Sequence, residues 1–80
     1  MSPLRGFTIS PNPFNSSVNI SAPSNSTISI YDIDGKLVYE SNQSNIIWKP
    51  EREIGSGIYF VRAIDKDGNE VGKERVVYMK

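Results

Sequence analysis

Apolar side chains recur at every second position in most of the structured stretches of this chain, and a period of two commits it to β-strands. Phe7 and Ile9 alternate with Thr8 and Ser10, Val18 and Ile20 with Asn19 and Ser21, and Ile28 and Ile30 with Thr27 and Ser29. Tyr59, Val61 and Ala63 alternate with Phe60, Arg62 and Ile64, which places apolar groups on both faces where that strand begins; Val76 and Tyr78 continue the pattern near the end. No window holds an apolar stripe at helical spacing. Turn residues fall between the runs. Pro11 and Pro13 cannot continue a ladder, because proline lacks an N–H and restricts the residue before it. Pro23-Ser24-Asn25-Ser26 is a turn by composition. Asp34-Gly35 and Asp67-Gly68 are hairpin signals, expected as type I′ turns in which both residues take positive φ.

Seven short strands are expected, near residues 7–10, 17–22, 27–32, 37–41, 45–49, 58–65 and 70–79, with Pro50 to Gly57 as the longest connection. Strands of this length with turns every 8–12 residues form an immunoglobulin-like antiparallel β-sandwich. Within 80 residues there is room for one domain, 1–80, whose thin core hides only ~60–65% of the surface of the unfolded chain.

Composition then removes whole classes of function. Nine basic and nine acidic residues cancel, which argues against nucleic acid and against charge-driven membrane binding, since both need a concentrated cationic face. Between Arg5 and Asp32 there is no charge at all; the first third is hydrogen-bonding and neutral. Histidine is absent, and with it the commonest general base and metal ligand; cysteine is absent, and with it thiolate chemistry and disulfides. A serine nucleophile would have no base, no serine sits in an S-x-x-K frame or a nucleophile elbow, and paired carboxylates need a cleft that a domain this small can hardly build. The chain reads as non-catalytic, with no cofactor and no metal. No apolar run approaches the ~20 residues of a membrane span, and no signal peptide is read at the N-terminus. Either the protein is cytosolic or its export signal belongs to a longer parent chain from which this piece is cut, and Met1-Ser2 is also readable as an added start.

Three features invite a ligand, and each has a plainer explanation. Asp65-Lys66-Asp67-Gly68-Asn69-Glu70 and Asp32-Ile33-Asp34-Gly35 superficially resemble calcium loops, but the glycine comes too early and strands flank both; hairpin turns are favoured. The triplets at Asn15, Asn19, Asn25 and Asn42 match a glycosylation acceptor, a pattern that a Ser/Asn-rich sequence produces by chance. Trp48, beside Ile46 and Ile47 in a strand expected to be buried on both faces, would serve as core more readily than as a sugar or peptide platform. Tyr59, following Gly57, is expected to tie down a loop through its hydroxyl as in a tyrosine corner.

Four separated blocks carry a more specific signal: Pro11-Asn12-Pro13-Phe14-Asn15; Ile28 through Val38, including Asp34-Gly35; Gly55-Ser56-Gly57-Ile58-Tyr59-Phe60-Val61-Arg62; and Lys73-Glu74-Arg75-Val76-Val77-Tyr78-Met79-Lys80. In this order and spacing the chain resembles the C-terminal sorting domains of type IX (Por) secretion systems, and beyond them the immunoglobulin-like domain of flagellar hook-capping proteins. The resemblance implies a domain recognised by an outer-membrane secretion translocon, which exports a passenger lying N-terminal to it to the cell surface or medium. It singles out Pro11, Asn12, Pro13, Asp34, Gly35, Gly57, Tyr59, Lys73, Val76, Val77 and Lys80 as the sorting motif, and implies that Lys80 is the natural terminus. Two departures accompany it: Glu74 stands among basic residues of the last strand, and the Pro50–Gly55 loop is shorter than in many relatives. A monomer is expected. The rival reading is an accessory module that binds carbohydrate or protein beside a catalytic domain; a third is a spacer or assembly domain.

Overall fold

A computed structural model describes residues 6–80; Met1 to Arg5, counted above in domain 1–80, lie outside the described residues. The seven strands are β1 (Thr8–Ser10), β2 (Val18–Ser21), β3 (Thr27–Tyr31), β4 (Leu37–Ser41), β5 (Asn45–Trp48), β6 (Gly57–Ile64) and β7 (Glu70–Tyr78). They form a three-stranded sheet in the order β1-β2-β5 and a four-stranded sheet in the order β4-β3-β6-β7, all pairs antiparallel. This is an all-β sandwich of immunoglobulin-like strand order.

The alternation in the sequence becomes the division between inside and outside. Val18 and Ile20 of β2, Ile28 and Ile30 of β3, Val61 and Ala63 of β6 and Val76 of β7 are at most 1% exposed and meet between the sheets. Phe7 also reaches the core and lies directly over Gly72, where a Cβ would come within 2.5 Å of its ring. Only the bare α-carbon of glycine leaves room for that aromatic.

One expectation about burial is corrected, and one buried position is new. Ile47 is 59% exposed while Ile46 and Trp48 face inward, so β5 is not buried on both faces. It is an edge strand of the smaller sheet, and its outer side is left open among the described residues. Conversely Ser29, on the outward face of β3, is buried. That strand is central, and the side chains of its cross-strand partners Glu40 and Arg62 flank the small serine. The Ser29 hydroxyl donates to a Glu40 carboxylate oxygen at 3.5 Å.

The Asp-Gly turns are where expected, but their type differs. Gly35 and Gly68 each have φ 86°, whereas Asp34 and Asp67 do not share the positive φ of a type I′ pair. Each hairpin instead closes a four-residue turn and then places its glycine in the left-handed region: Gly35 N–H donates to Asp32 C=O, and Gly68 N–H to Asp65 C=O, both at 3.0 Å. The first aspartate organises each loop. Asp32 Oδ1 accepts from the N–H groups of Asp34 and Lys36, and Asp65 Oδ1 from those of Asp67 and Asn69, all at 2.9 Å. These carboxylates serve as the internal acceptors of Asx turns, the role that the calcium-like spacing obscured.

Candidate recognition surface around the C-terminal strand

β7 is the last strand and lies at the edge of the four-stranded sheet, where an unpaired ladder would be open to any passing strand. The segment after β1 covers the second half of that edge. Two of its three residues from 11 to 13 are prolines, so the backbone there has few N–H groups to offer. Asn12 supplies what the backbone lacks, because a carboxamide presents an N–H and a C=O just as a peptide unit does. Its Nδ2 donates to Arg75 C=O at 2.9 Å, and its Oδ1 accepts from Val77 N–H at 3.1 Å. Phe14 continues the pairing in parallel register with Tyr78: its N–H donates to Val77 C=O at 3.0 Å, and its C=O accepts from Met79 N–H at 2.8 Å. The expectation that Pro11 and Pro13 end β1 agrees with its last residue, Ser10; the clamp that they frame is a finding of the structure. Asn12→Ala removes both side-chain bonds at once. It is expected to lower stability by about 1–2 kcal/mol, measured by urea unfolding, and to speed hydrogen exchange at the Val77 amide before any other in β7.

Beyond the clamp the chain end is tied to the Pro50–Gly57 connection. Lys80 N–H donates to Ser56 Oγ at 2.9 Å, and its ammonium donates to the carbonyls of Arg52 and Ile54 at 2.6 and 3.2 Å. The Tyr59 hydroxyl holds the same loop by donating to Gly55 C=O at 2.7 Å. It is the loop-tying tyrosine anticipated from the sequence. Gly57, with φ 148°, lets the chain turn directly into β6.

Burial pushes the Tyr59 hydroxyl above its ordinary value, and the charges of Asp32 and Tyr78 act in the same direction. An unfolded tyrosine loses its proton near pH 10, so at alkaline pH the unfolded state deprotonates first. Stability contributed here is present below pH ~10 and falls as pH rises through that value towards the higher folded one. Tyr59→Phe is expected to cost ~1 kcal/mol at neutral pH and to make the alkaline decline shallower, as read from chemical denaturation between neutral and strongly basic pH.

Trp48 is 3% exposed and binds the sheets together. Its ring lies 5.6 Å from Tyr59 at an edge-on 71°, 5.9 Å from Phe14 and 6.5 Å from Tyr39, while Phe14 stacks on Tyr78 at 5.0 Å. A ring so enclosed offers no platform to a sugar, and the core reading holds.

The residues singled out in the sequence therefore separate into distinct places. Pro11, Asn12, Pro13 and Val77 come together at the clamped edge. Gly57, Tyr59 and Lys80 meet at the loop. Asp34 and Gly35 lie in the β3–β4 turn. Lys73 stands apart on the exposed face of β7, and Val76, at 0% exposure, is interior. Arg75, named in the fourth block but not among the singled-out residues, lies on the same face as Lys73 and Val77 by its two-residue spacing from each. Glu74 falls on the opposite face, so it does not interrupt that cationic row.

The family model described as the secretion system C-terminal sorting domain matches residues 8–78. No curated protein matches significantly. Among solved structures, the chain is similar to PorZ, an essential bacterial surface component of the type IX secretion system of Porphyromonas gingivalis. The TM-score is 0.80 at 22% identity, over 99% of this chain and 12% of that one. The likeness is one of fold, and the chain spans only a small part of that protein's length.

Proposed function

The chain belongs to the family of secretion-system C-terminal sorting domains, and from that premise we propose that it addresses a passenger on its N-terminal side to the outer-membrane translocon of a type IX machinery. The passenger then passes from the periplasm to the cell surface or the medium, and the domain acts without catalysis, cofactor or metal, as a monomer. The observation that carries this reading is the family match over residues 8–78. The way the domain is finished at its end supports it. The last strand is preformed, with β6 on one edge, the Asn12–Phe14 segment on the other and Lys80 anchored beyond it. An element held this way presents a fixed surface, and a rigid surface is bound at lower entropic cost than a flexible tail. The sorting-motif residues serve the reading in two ways: Pro11, Asn12, Pro13, Asp34, Gly35, Gly57, Tyr59, Val76 and Lys80 shape the module, while Lys73 and Val77 face outward from it.

The test is a reporter fused ahead of residues 1–80, behind an export signal. It is expected at the cell surface only in a host that possesses the machinery, and in the periplasm when the domain is deleted. Surface display that is equal with and without the domain, or in a host lacking the machinery, overturns the reading.

A further inference from the structure

The two outer faces of the sandwich differ in chemistry. Strand register places Thr8, Ser21 and Asn45 in one row and Ser10, Asn19 and Ile47 in the next across the three-stranded sheet, without a single charge. The four-stranded sheet carries a different set. Leu37, Tyr31, Phe60 and Arg75 form a continuous row from β4 to β7, because Tyr31 pairs with both Leu37 and Phe60, and Phe60 pairs with Arg75. Cross-strand partners share a face. The neighbouring row on one side runs Glu40, Ser29, Arg62, Lys73, and Ile58 opposite Val77 flanks the first row on the other.

This face is apolar along its middle and cationic at its β7 margin. Leu37 is 46% exposed, Tyr31 and Phe60 are half-buried, and Ile33 at the β3–β4 turn is 69% exposed. A groove of about 350 Å³ opens among Tyr31, Asp32, Ile33, Phe60, Arg62, Glu70 and Lys73. Arg62 is already engaged with Glu70 at 3.7 Å, but Lys73 and Arg75 form no ion pair among the described residues. Of the other carboxylates, Asp32 lines the groove with its Oδ1 accepting from the Asp34 and Lys36 N–H groups of its own turn, and Glu40 lies at the far β4 margin with β3 and β6 between it and β7. Two unpaired cations thus border an apolar strip, on the strand that ends the domain.

We infer that this outer face of the β4-β3-β6-β7 sheet is the docking surface for the recognising protein. Its occupant is a protein segment with a large apolar side chain for the groove, flanked by carboxylates that meet Lys73 and Arg75. Charge complementarity selects that chemistry: the apolar strip supplies buried area, and the margin steers and orients an acidic partner. A segment bearing lysine or arginine at that margin is repelled. The inference rests on the sorting function proposed above and names the surface that performs it.

The experiment uses the reporter fusion in a host with the machinery and compares four proteins: wild type, K73E/R75E, N19E/S10E on the uncharged face, and the fusion lacking the domain. Thermal unfolding of the purified variants shows that both double substitutions leave the fold intact, as expected for exposed positions. The β7 charge reversal is expected to lower surface display about tenfold or more, because a like charge across an interface costs several kcal/mol. The substitution on the opposite face is expected to leave display within about twofold of wild type, as surface changes away from an interface do. Conservative K73R/R75K should restore most of the display. If K73E/R75E is displayed like wild type while domain deletion abolishes display, this surface assignment is wrong and the sorting function stands. If deletion also leaves display intact, the sorting function itself fails.

Discussion

Trp48→Ala is expected to abolish cooperative folding of this domain. The indole is the junction of an aromatic cluster from both sheets and the β1–β2 connection, touching Phe14, Tyr39 and Tyr59. At 3% exposure it has no water to relax into when truncated. Emptying a site of this size costs about 3–5 kcal/mol, against a total stability of ~5–15 kcal/mol for ordinary domains, with the smallest at the low end. Because Trp48 is the single tryptophan, its fluorescence disappears with it, and the transition is followed by circular dichroism in urea. A variant that unfolds cooperatively with a midpoint near that of wild type contradicts the central place given to this ring. Trp48→Phe, which keeps an aromatic in the cluster, is expected to retain cooperative unfolding at reduced stability.

Removal of Val76–Lys80 has an expected effect of similar size, and it bears on how export experiments are read. The five residues look like a tail in the sequence. In the fold they include Val76 and Tyr78, both buried, each contributing about 1.5–3 kcal/mol by burial. They also hold the partners of Asn12 and Phe14 and the Lys80 contacts with the 52–54 carbonyls. Each of those hydrogen bonds adds ~1 kcal/mol. The truncated chain is expected to lose its near-ultraviolet circular dichroism and to be cleaved by protease far faster than the intact domain. Retained protease resistance is the opposite outcome, and would show that the last half-strand is dispensable for folding. Export lost on truncation therefore reports the loss of a folded domain as well as the loss of a recognised sequence. Substitutions on the outward face, at Lys73 and Arg75, separate the two.

Much of this architecture could be read from residue order alone. The β4 bounds agree with the expected 37–41, β1, β3, β5 and β7 differ from their expected limits by one residue at one end, and β2 and β6 by one residue at both ends. Alternation is a local property, and so are the proline and Asp-Gly interruptions. Tyr59 and Gly57 were legible for the same reason: the bond from the hydroxyl to Gly55 C=O spans four residues. The turn type was not legible, because Asp-Gly suits both the type I′ pair and a turn followed by a left-handed glycine. The choice fell to the first aspartate, whose carboxylate captures two amides of its own loop.

What the sequence determined by itself was the class of fold, the places where the chain turns, the inward set of side chains and, through four spaced blocks, the family. Only the tertiary structure decided what those blocks do. Asn12 is 63 residues from Arg75 and 65 from Val77, and no local pattern announces that a carboxamide between two prolines completes the edge of the last strand. The same holds for the buried Ser29, the exposed Ile47 and the row from Leu37 to Arg75. Each depends on which strands become neighbours and which become edges. The period of two tells each residue which side of its strand it occupies. Sheet order, set by packing both sheets over one shared core, decides what lies across from it.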